Sequence, residues 1–200
     1  MERVYNKSLG MREMIDRVKN VDHLLFEEVS KETFYSENRI DPENLSYLGS
    51  GDFGEAYSIG DGRVLKTTMS KNEYAIAQQM ENNEAPILDS LAKIYKTGIV
   101  DGAMIIILEE VDEDSHIEDL FYELSSHLDD QELPIQYLDN LDTDDIDLSE
   151  EMVQFMNGVD DILRAYRYLG IEASDIRPEN MGYSKKDGRL MAFDIDDKRG

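Results

Sequence analysis

Two hundred residues with 40% hydrophobic content suffice to bury a core, so the chain reads as one globular domain or two small lobes rather than a disordered polymer. Forty-five acidic against twenty basic side chains give a formal charge of −25, which argues against direct binding to nucleic acid or to an anionic membrane. No apolar run approaches the roughly 18 residues of a membrane span, and the first twenty residues lack the pattern of a signal peptide. The absence of cysteine removes disulfides, thiolate metal sites and thiol nucleophiles, and together these features point to a cytoplasmic location.

In chain order, Met11, Met14, Ile15, Val18, Val21, Leu24, Leu25 and Val29 recur at helical spacing, which predicts one or two amphipathic helices in an N-terminal extension over residues 1–40. "DPEN" at Asp41 to Asn44 interrupts them, because the residue before proline is pushed out of the helical region. Short strand-like runs follow at Leu45–Leu48, Glu55–Ile59 and Arg63–Thr67, divided by glycine-rich turns, and read as an antiparallel meander. Residues 71–82 carry Glu73, Ile76, Ala77 and Met80 on one helical stripe, with Glu81 and Glu84 less well aligned. Two more strands surround the Asp101-Gly102 turn, the second buried enough to read "MIIIL" without a polar break.

Between Asp112 and Asp147 stand fourteen acidic residues and no Lys or Arg. This stretch reads as a solvated acidic segment over residues 112–148, with an acidic surface for a basic partner as the sharper alternative. It is not an EF-hand, since "DTDDIDLSEE" places Ile146 at a ligand position and lacks the turn glycine. Ser149 then caps a helix with acids in its first turn and an apolar stripe from Met152 to Leu169, ended by Gly170. Gly158 within it costs about 1 kcal/mol relative to Ala and predicts a close helix contact. The chain closes with "IEASDIRPENMGY" and a hairpin around Lys186, Asp187 and Gly188.

The candidate chemistry lies in three places. Gly49, Ser50, Gly51, Asp52, Phe53 and Gly54 form G-x-G-x-x-G followed by a strand, a context that fits a glycine flap over polyphosphate better than a dinucleotide-binding turn. A plain hairpin is the alternative. Lys66, beside Val64 and Leu65 on the next strand, needs an acidic partner, and inward-facing Glu73 is the candidate; an edge lysine and a solvated glutamate in water are the bland readings. Asp175 and Asn180 stand five apart in "DIRPEN", and Asp194 follows fourteen later. Two carboxylates and an amide oxygen are what phosphoryl transfer from Mg-ATP requires, and Arg177 in the same loop could stabilise the transferred phosphoryl group.

From Gly49 to Asp194, "GSGDFGEAY", "VLK", "DIRPEN" and "AFDID" resemble, in order and rough spacing, the glycine loop, strand-three lysine, catalytic loop and metal-binding Asp motif of the protein kinase superfamily. Short kinase-like proteins of phages look similar. The resemblance implies a two-lobed α+β fold: an N-lobe over residues 41–111 with a five-stranded antiparallel sheet plus a helix, and a shortened, mainly helical C-lobe over residues 149–200. It further implies Asp175 as catalytic base, Asn180 and Asp194 as Mg²⁺ ligands, Lys66 on the ATP phosphates with Glu73 as anchor, and backbone contacts to adenine at Glu109 and Val111. Arg177 falls where serine/threonine-type members carry lysine.

The pattern departs from that family before Asp175, where Ala173 and Ser174 replace a His-Arg pair, and after Asp194, where Ile195 and Asp196 replace Phe-Gly and leave Asp196 as an alternative ligand. The sequence ends six residues after Asp194, short of the segments on which kinases dock peptides, as expected of a truncated or a minimal member. The implied function is an ATP- and Mg²⁺-dependent phosphotransferase acting on protein Ser or Thr hydroxyls. The alternatives are a catalytically weak kinase-like module whose acidic surface engages a basic partner protein, and a small-molecule kinase.

Overall fold

A computed structural model describes residues 28–51, 53–127, 148–171 and 176–195; the stripe from Met11 to Leu25, Asp175 and Asp196 lie outside them. The meander forms as the turn chemistry dictates. Strands β2 (Ser46–Gly51), β3 (Gly54–Ser58) and β4 (Arg63–Thr68) pair antiparallel. Gly60 and Gly62 both adopt positive φ at the second turn, which only glycine does without strain.

Helix α2 (Lys71–Glu81) follows, then a 3₁₀ turn (Pro86–Ser90) and strands β5 (Ile94–Val100) and β6 (Ala103–Glu109). Asp101 and Gly102 join these two strands with φ of 49° and 81°, the tight turn that matches strand twist.

The sheet has six strands where the pattern predicts five. The additional strand, β1 (Glu28–Val29), pairs in parallel with the end of β5, giving the order β1-β5-β6-β4-β3-β2. Val29, placed by its spacing on a helical stripe, is therefore a strand residue. Helix α1 (Lys31–Glu37) comes next, its first turn capped by Ser30, and its Phe34 and Tyr35 pack with Leu65, Val100, Ile105 and Ile107 on one face of the sheet. Phe34 sits so close to Gly98 that a Cβ there would lie 2.6 Å from the ring.

Val64, Ile106 and Leu108 pack into the larger core with α2, while Leu65 and Ile107 turn to the α1 side, so the period-two alternation of a strand divides them between two cores. A short strand β7 (Val111–Asp112) leads to α3 (His116–His127) and α4 (Glu150–Leu169). The side chain of Ser149 accepts from the Met152 N–H, and Gly170 closes α4 in the left-handed region. Met152, Val159, Ile162, Leu163 and Tyr166 of the predicted stripe are fully buried.

Strands β8 (Met181–Ser184) and β9 (Leu190–Ala192) form the last hairpin and join β7 in a three-stranded sheet. Gly158 does meet a close neighbour, but the neighbour is β9: a Cβ at Gly158 would lie 2.9 Å from Leu190. Among the described residues no helix is long and apolar enough to cross a membrane.

Candidate nucleotide site

A cleft of about 710 Å³ opens between the two sheets. Its roof is the β2–β3 hairpin. Gly54 is dictated by packing, because a Cβ would lie 1.8 Å from the Thr67 carbonyl oxygen of β4, whereas Gly49 and Gly51 have nothing within 4 Å of the added atom. Those two glycines thus leave backbone open to the cleft. The β2–β3 register slips between Tyr47 and Gly49, and Leu48 at the irregularity lines the cleft; a bulge re-aims a side chain in this way. Ala56, Val64, Leu108 and Phe193 add apolar walls.

At the back of the cleft stands Lys66. Its ammonium meets the Glu73 carboxylate at 2.5 Å and the Asp194 carboxylate at 2.7 Å. Two local rules bring Glu73 there. Ser70 caps α2 by accepting from the Glu73 N–H, and the Ser-x-x-Glu spacing suits a capping box; the Glu73 carboxylate, however, turns to Lys66 and Thr68.

Burial pulls the Lys66 pKa down, but the charges of Glu73 and Asp194 and their hydrogen bonds outweigh it, so the net shift is upward and the ammonium is retained. Burial pushes the Glu73 carboxyl up, against the opposing pull of Lys66 and Thr68.

Asp194 reaches this point through backbone stitching. Ala92 N–H donates to the Ala192 carbonyl at 2.8 Å, and Phe193 N–H donates to the Asn180 carbonyl at 3.0 Å. With Met181 paired to Ala192, the hairpin sets Asn180 beside Phe193 and one residue from Asp194. Both Asn180 and Asp194 line the cleft. Arg177 lines it too, with its guanidinium 3.6 Å from Glu179.

At the opposite end, Glu109 and Val111 border the cleft. The Glu109 and Glu110 N–H groups donate to the carbonyls of Lys93 and Gly62, both at 2.9 Å.

Of the predicted site residues, Gly49, Gly51, Phe53, Gly54, Lys66, Glu73, Glu109, Val111, Arg177, Asn180 and Asp194 come together around this cleft. Ser50 does not line it and pairs with Glu55 across the hairpin, as alternation between Gly49 and Gly51 requires. Asp175 lies outside the described residues. Sequence reasoning missed the Lys66–Asp194 contact and a cation at the rim, Lys185, which meets Glu110 at 2.9 Å and Asp112 at 3.4 Å. Neither had a local signal, since each joins residues distant in the chain.

The donors suit magnesium in kind. Asn180 and Asp194 offer hard oxygen ligands at the cleft. Mg²⁺ binds through one or two protein oxygens plus water and phosphate oxygens, unlike the fuller cages of Ca²⁺.

No protein-family model matches the chain, and no curated protein is similar to it. Among solved structures, it is similar to the BubR1 kinase domain, with 18% identity and a TM-score of 0.48 over 93% of this chain and 59% of that domain. It is also similar to the Mycobacterium tuberculosis PknI kinase domain, with 16% identity and a TM-score of 0.41 over 76% of this chain. The chain spans 59% of the length of each of those domains. A six-stranded, mostly antiparallel sheet flanked by α1 and α2, a helical part with a short sheet, and a glycine-roofed cleft between them make up an α+β fold.

Proposed function

We propose that the chain is an ATP- and Mg²⁺-dependent phosphotransferase of protein kinase type, with Ser or Thr hydroxyls of a protein as acceptors. The observation that carries this reading is Lys66, held by Glu73 and Asp194 at the back of a glycine-roofed cleft. A half-buried lysine with an anionic anchor and an open side toward a cleft is arranged to receive a further anion.

In this reading Ala56, Val64, Leu108 and Phe193 enclose a flat base, and the open backbone at Gly49 and Gly51 approaches the phosphates. Lys66 orients the phosphates, Asn180 and Asp194 hold the metal, and Arg177 meets charge on the transferred group. Mg²⁺, when bound, neutralises phosphate charge that the acidic cleft would otherwise repel. Asp175 accepts the proton of the acceptor hydroxyl. The overall step forms an ester bond from the acceptor oxygen to the γ-phosphorus and breaks the bond from that phosphorus to the bridging oxygen of ADP. Incubation with labelled ATP and Mg²⁺ tests the reading: label transfer to the chain itself or to added protein that disappears in Asp175→Ala supports it, and Asp175-independent transfer or none sinks it.

The formal charge of −25 favours a second reading, in which the same fold serves as a binding module for a basic protein. Under that reading capture of the partner weakens steeply with salt and survives Lys66→Ala.

A further inference from the structure

A second groove, of about 540 Å³, lies between the 3₁₀ turn Pro86–Ser90, helix α4 and the β8–β9 hairpin, and shares no lining residue with the nucleotide cleft. We propose that it docks a short extended segment of a partner protein in which apolar side chains alternate with lysine or arginine.

The groove is preformed. Ser90 Oγ donates to the Asp161 carbonyl at 3.0 Å, fixing the 3₁₀ turn to α4. The absence of a side chain at Gly158 lets Leu190 close the floor, since a Cβ would lie 2.9 Å from it. Leu190 and Phe155 make that floor apolar, and Pro86 and Ile87 form an exposed apolar wall, Ile87 with 37% of its surface open. On the exposed face of α4, Gln154 and Asn157 line the groove about one turn apart, and their amides can donate to and accept from a peptide backbone.

The rim decides the charge of the occupant. Among the described residues, Asp89, Glu151 and Asp161 line the groove against a single cation, Arg189. That cation is already engaged: its guanidinium meets Asp187 at 2.9 Å and Asp89 at 3.8 Å. Among the described residues Asp161 has a distant partner in Arg164, at 3.9 Å, while Glu151 meets His116 at 3.1 Å. The surplus is negative. On a chain of charge −25 it turns away nucleic acid and anionic lipid and favours a basic segment. The apolar floor and wall require that this segment also carry aliphatic side chains. The site stands on its own residues and does not depend on phosphoryl transfer in the cleft.

Fluorescence anisotropy on the full chain in 150 mM-range salt tests this with a labelled nonapeptide in which leucine alternates with lysine and arginine. A second peptide of equal charge, with serine in place of every leucine, provides the comparison. Saturable binding is expected for the first, and binding at least about tenfold weaker for the second. Asp161→Lys and Ile87→Ser, both at exposed positions, should each weaken the first peptide at least about fivefold, while Glu37→Lys on α1, an equal change of charge elsewhere, stays within about twofold. Equal loss with Glu37→Lys would reduce the effect to diffuse attraction and overturn the proposal. So would the absence of saturable binding, or a dimer in sedimentation velocity that Asp161→Lys dissociates, because the groove would then be filled by a second copy.

Discussion

Replacing Lys66 by methionine keeps the aliphatic stem and removes the ammonium from between two carboxylates. The Glu73 side chain is only 7% exposed and that of Lys66 19% exposed, so the variant leaves a nearly buried carboxylate without its counter-charge. Breaking a buried pair from one side costs about 3–5 kcal/mol; the residual exposure of Lys66 and the Thr68 hydrogen bond to Glu73 place the expected cost near the lower figure.

The pH dependence supplies the sign. Burial already holds the Glu73 carboxyl above its ordinary value, and loss of Lys66 moves it further up. The native state of the variant then binds more protons than its unfolded state, so its stability falls as pH rises from the unfolded value of 4.5. The deficit relative to the parent should therefore grow from pH 5 to pH 8, and Lys66→Met combined with Glu73→Gln should recover about 2 kcal/mol or more. In the parent, the raised Lys66 pKa contributes stability that is complete below 10.5 and is lost as pH climbs through the higher folded value.

Urea unfolding followed by far-UV circular dichroism measures both, since the chain has no tryptophan. A deficit below about 1 kcal/mol that is equal at both pH values would mean that the pair behaves as an exposed one, and the reasoning would fail.

Three further outcomes follow from local geometry. Gly54→Ala drives a Cβ to within 1.8 Å of a backbone oxygen and should destabilise by about 2 kcal/mol or more, whereas Gly49→Ala, with nothing nearby, stays within about 1 kcal/mol in the same thermal melt. Phe34→Ala removes a ring that is 2% exposed against the α1 face of the sheet and should cost about 3–5 kcal/mol by chemical denaturation; a near-neutral result would show that α1 is not part of the folded core. Glu81 accepts from the Thr97 N–H at 2.8 Å, from the Thr97 hydroxyl at 2.5 Å and from Lys96 at 2.9 Å. Burial alone would raise its pKa, but these contacts outweigh it and the net shift is downward, so its contribution is present above 4.5 and is lost as pH falls. Glu81→Gln should therefore cost about 1–2 kcal/mol at pH 7 and much less near pH 3, read from the acid limb of a pH titration of stability.

The pieces legible in the sequence were those carried by local periodicity. Strand alternation separated Val64 and Lys66 from Leu65, and helical spacing turned Glu73 toward the same interior, so their meeting followed from two short patterns. The positive φ values at Gly60, Gly62 and Gly102 and the cap at Ser149 likewise obey local rules.

What was not legible depends on distant pairing. Val29 belongs to a helical stripe by spacing and to a strand by its partner Val100. A two-residue strand carries no period of its own, so nothing local could distinguish the two states. Val111 and Asp112 join β8 for the same reason. The contact of Lys66 with Asp194 spans 128 residues and rests on the stitching of β9 to Ala92, which no motif announces. Gly158 signalled a close approach but not its partner, because the spacing of one helix is silent about which element lies across from it.

The central claim is that the cleft binds ATP through Lys66 and a metal held by Asp194. Thermal melts with ATP and Mg²⁺ together, with each alone, and with Asp194→Asn and Lys66→Met test it most directly. At a hundredfold excess over the dissociation constant, a ligand specific to the native state stabilises by about 2.7 kcal/mol. The account predicts an upward shift in melting temperature with ATP and Mg²⁺ together that is small with either alone and lost in both variants; no shift, or a shift that persists without Mg²⁺ and in Asp194→Asn, would contradict it.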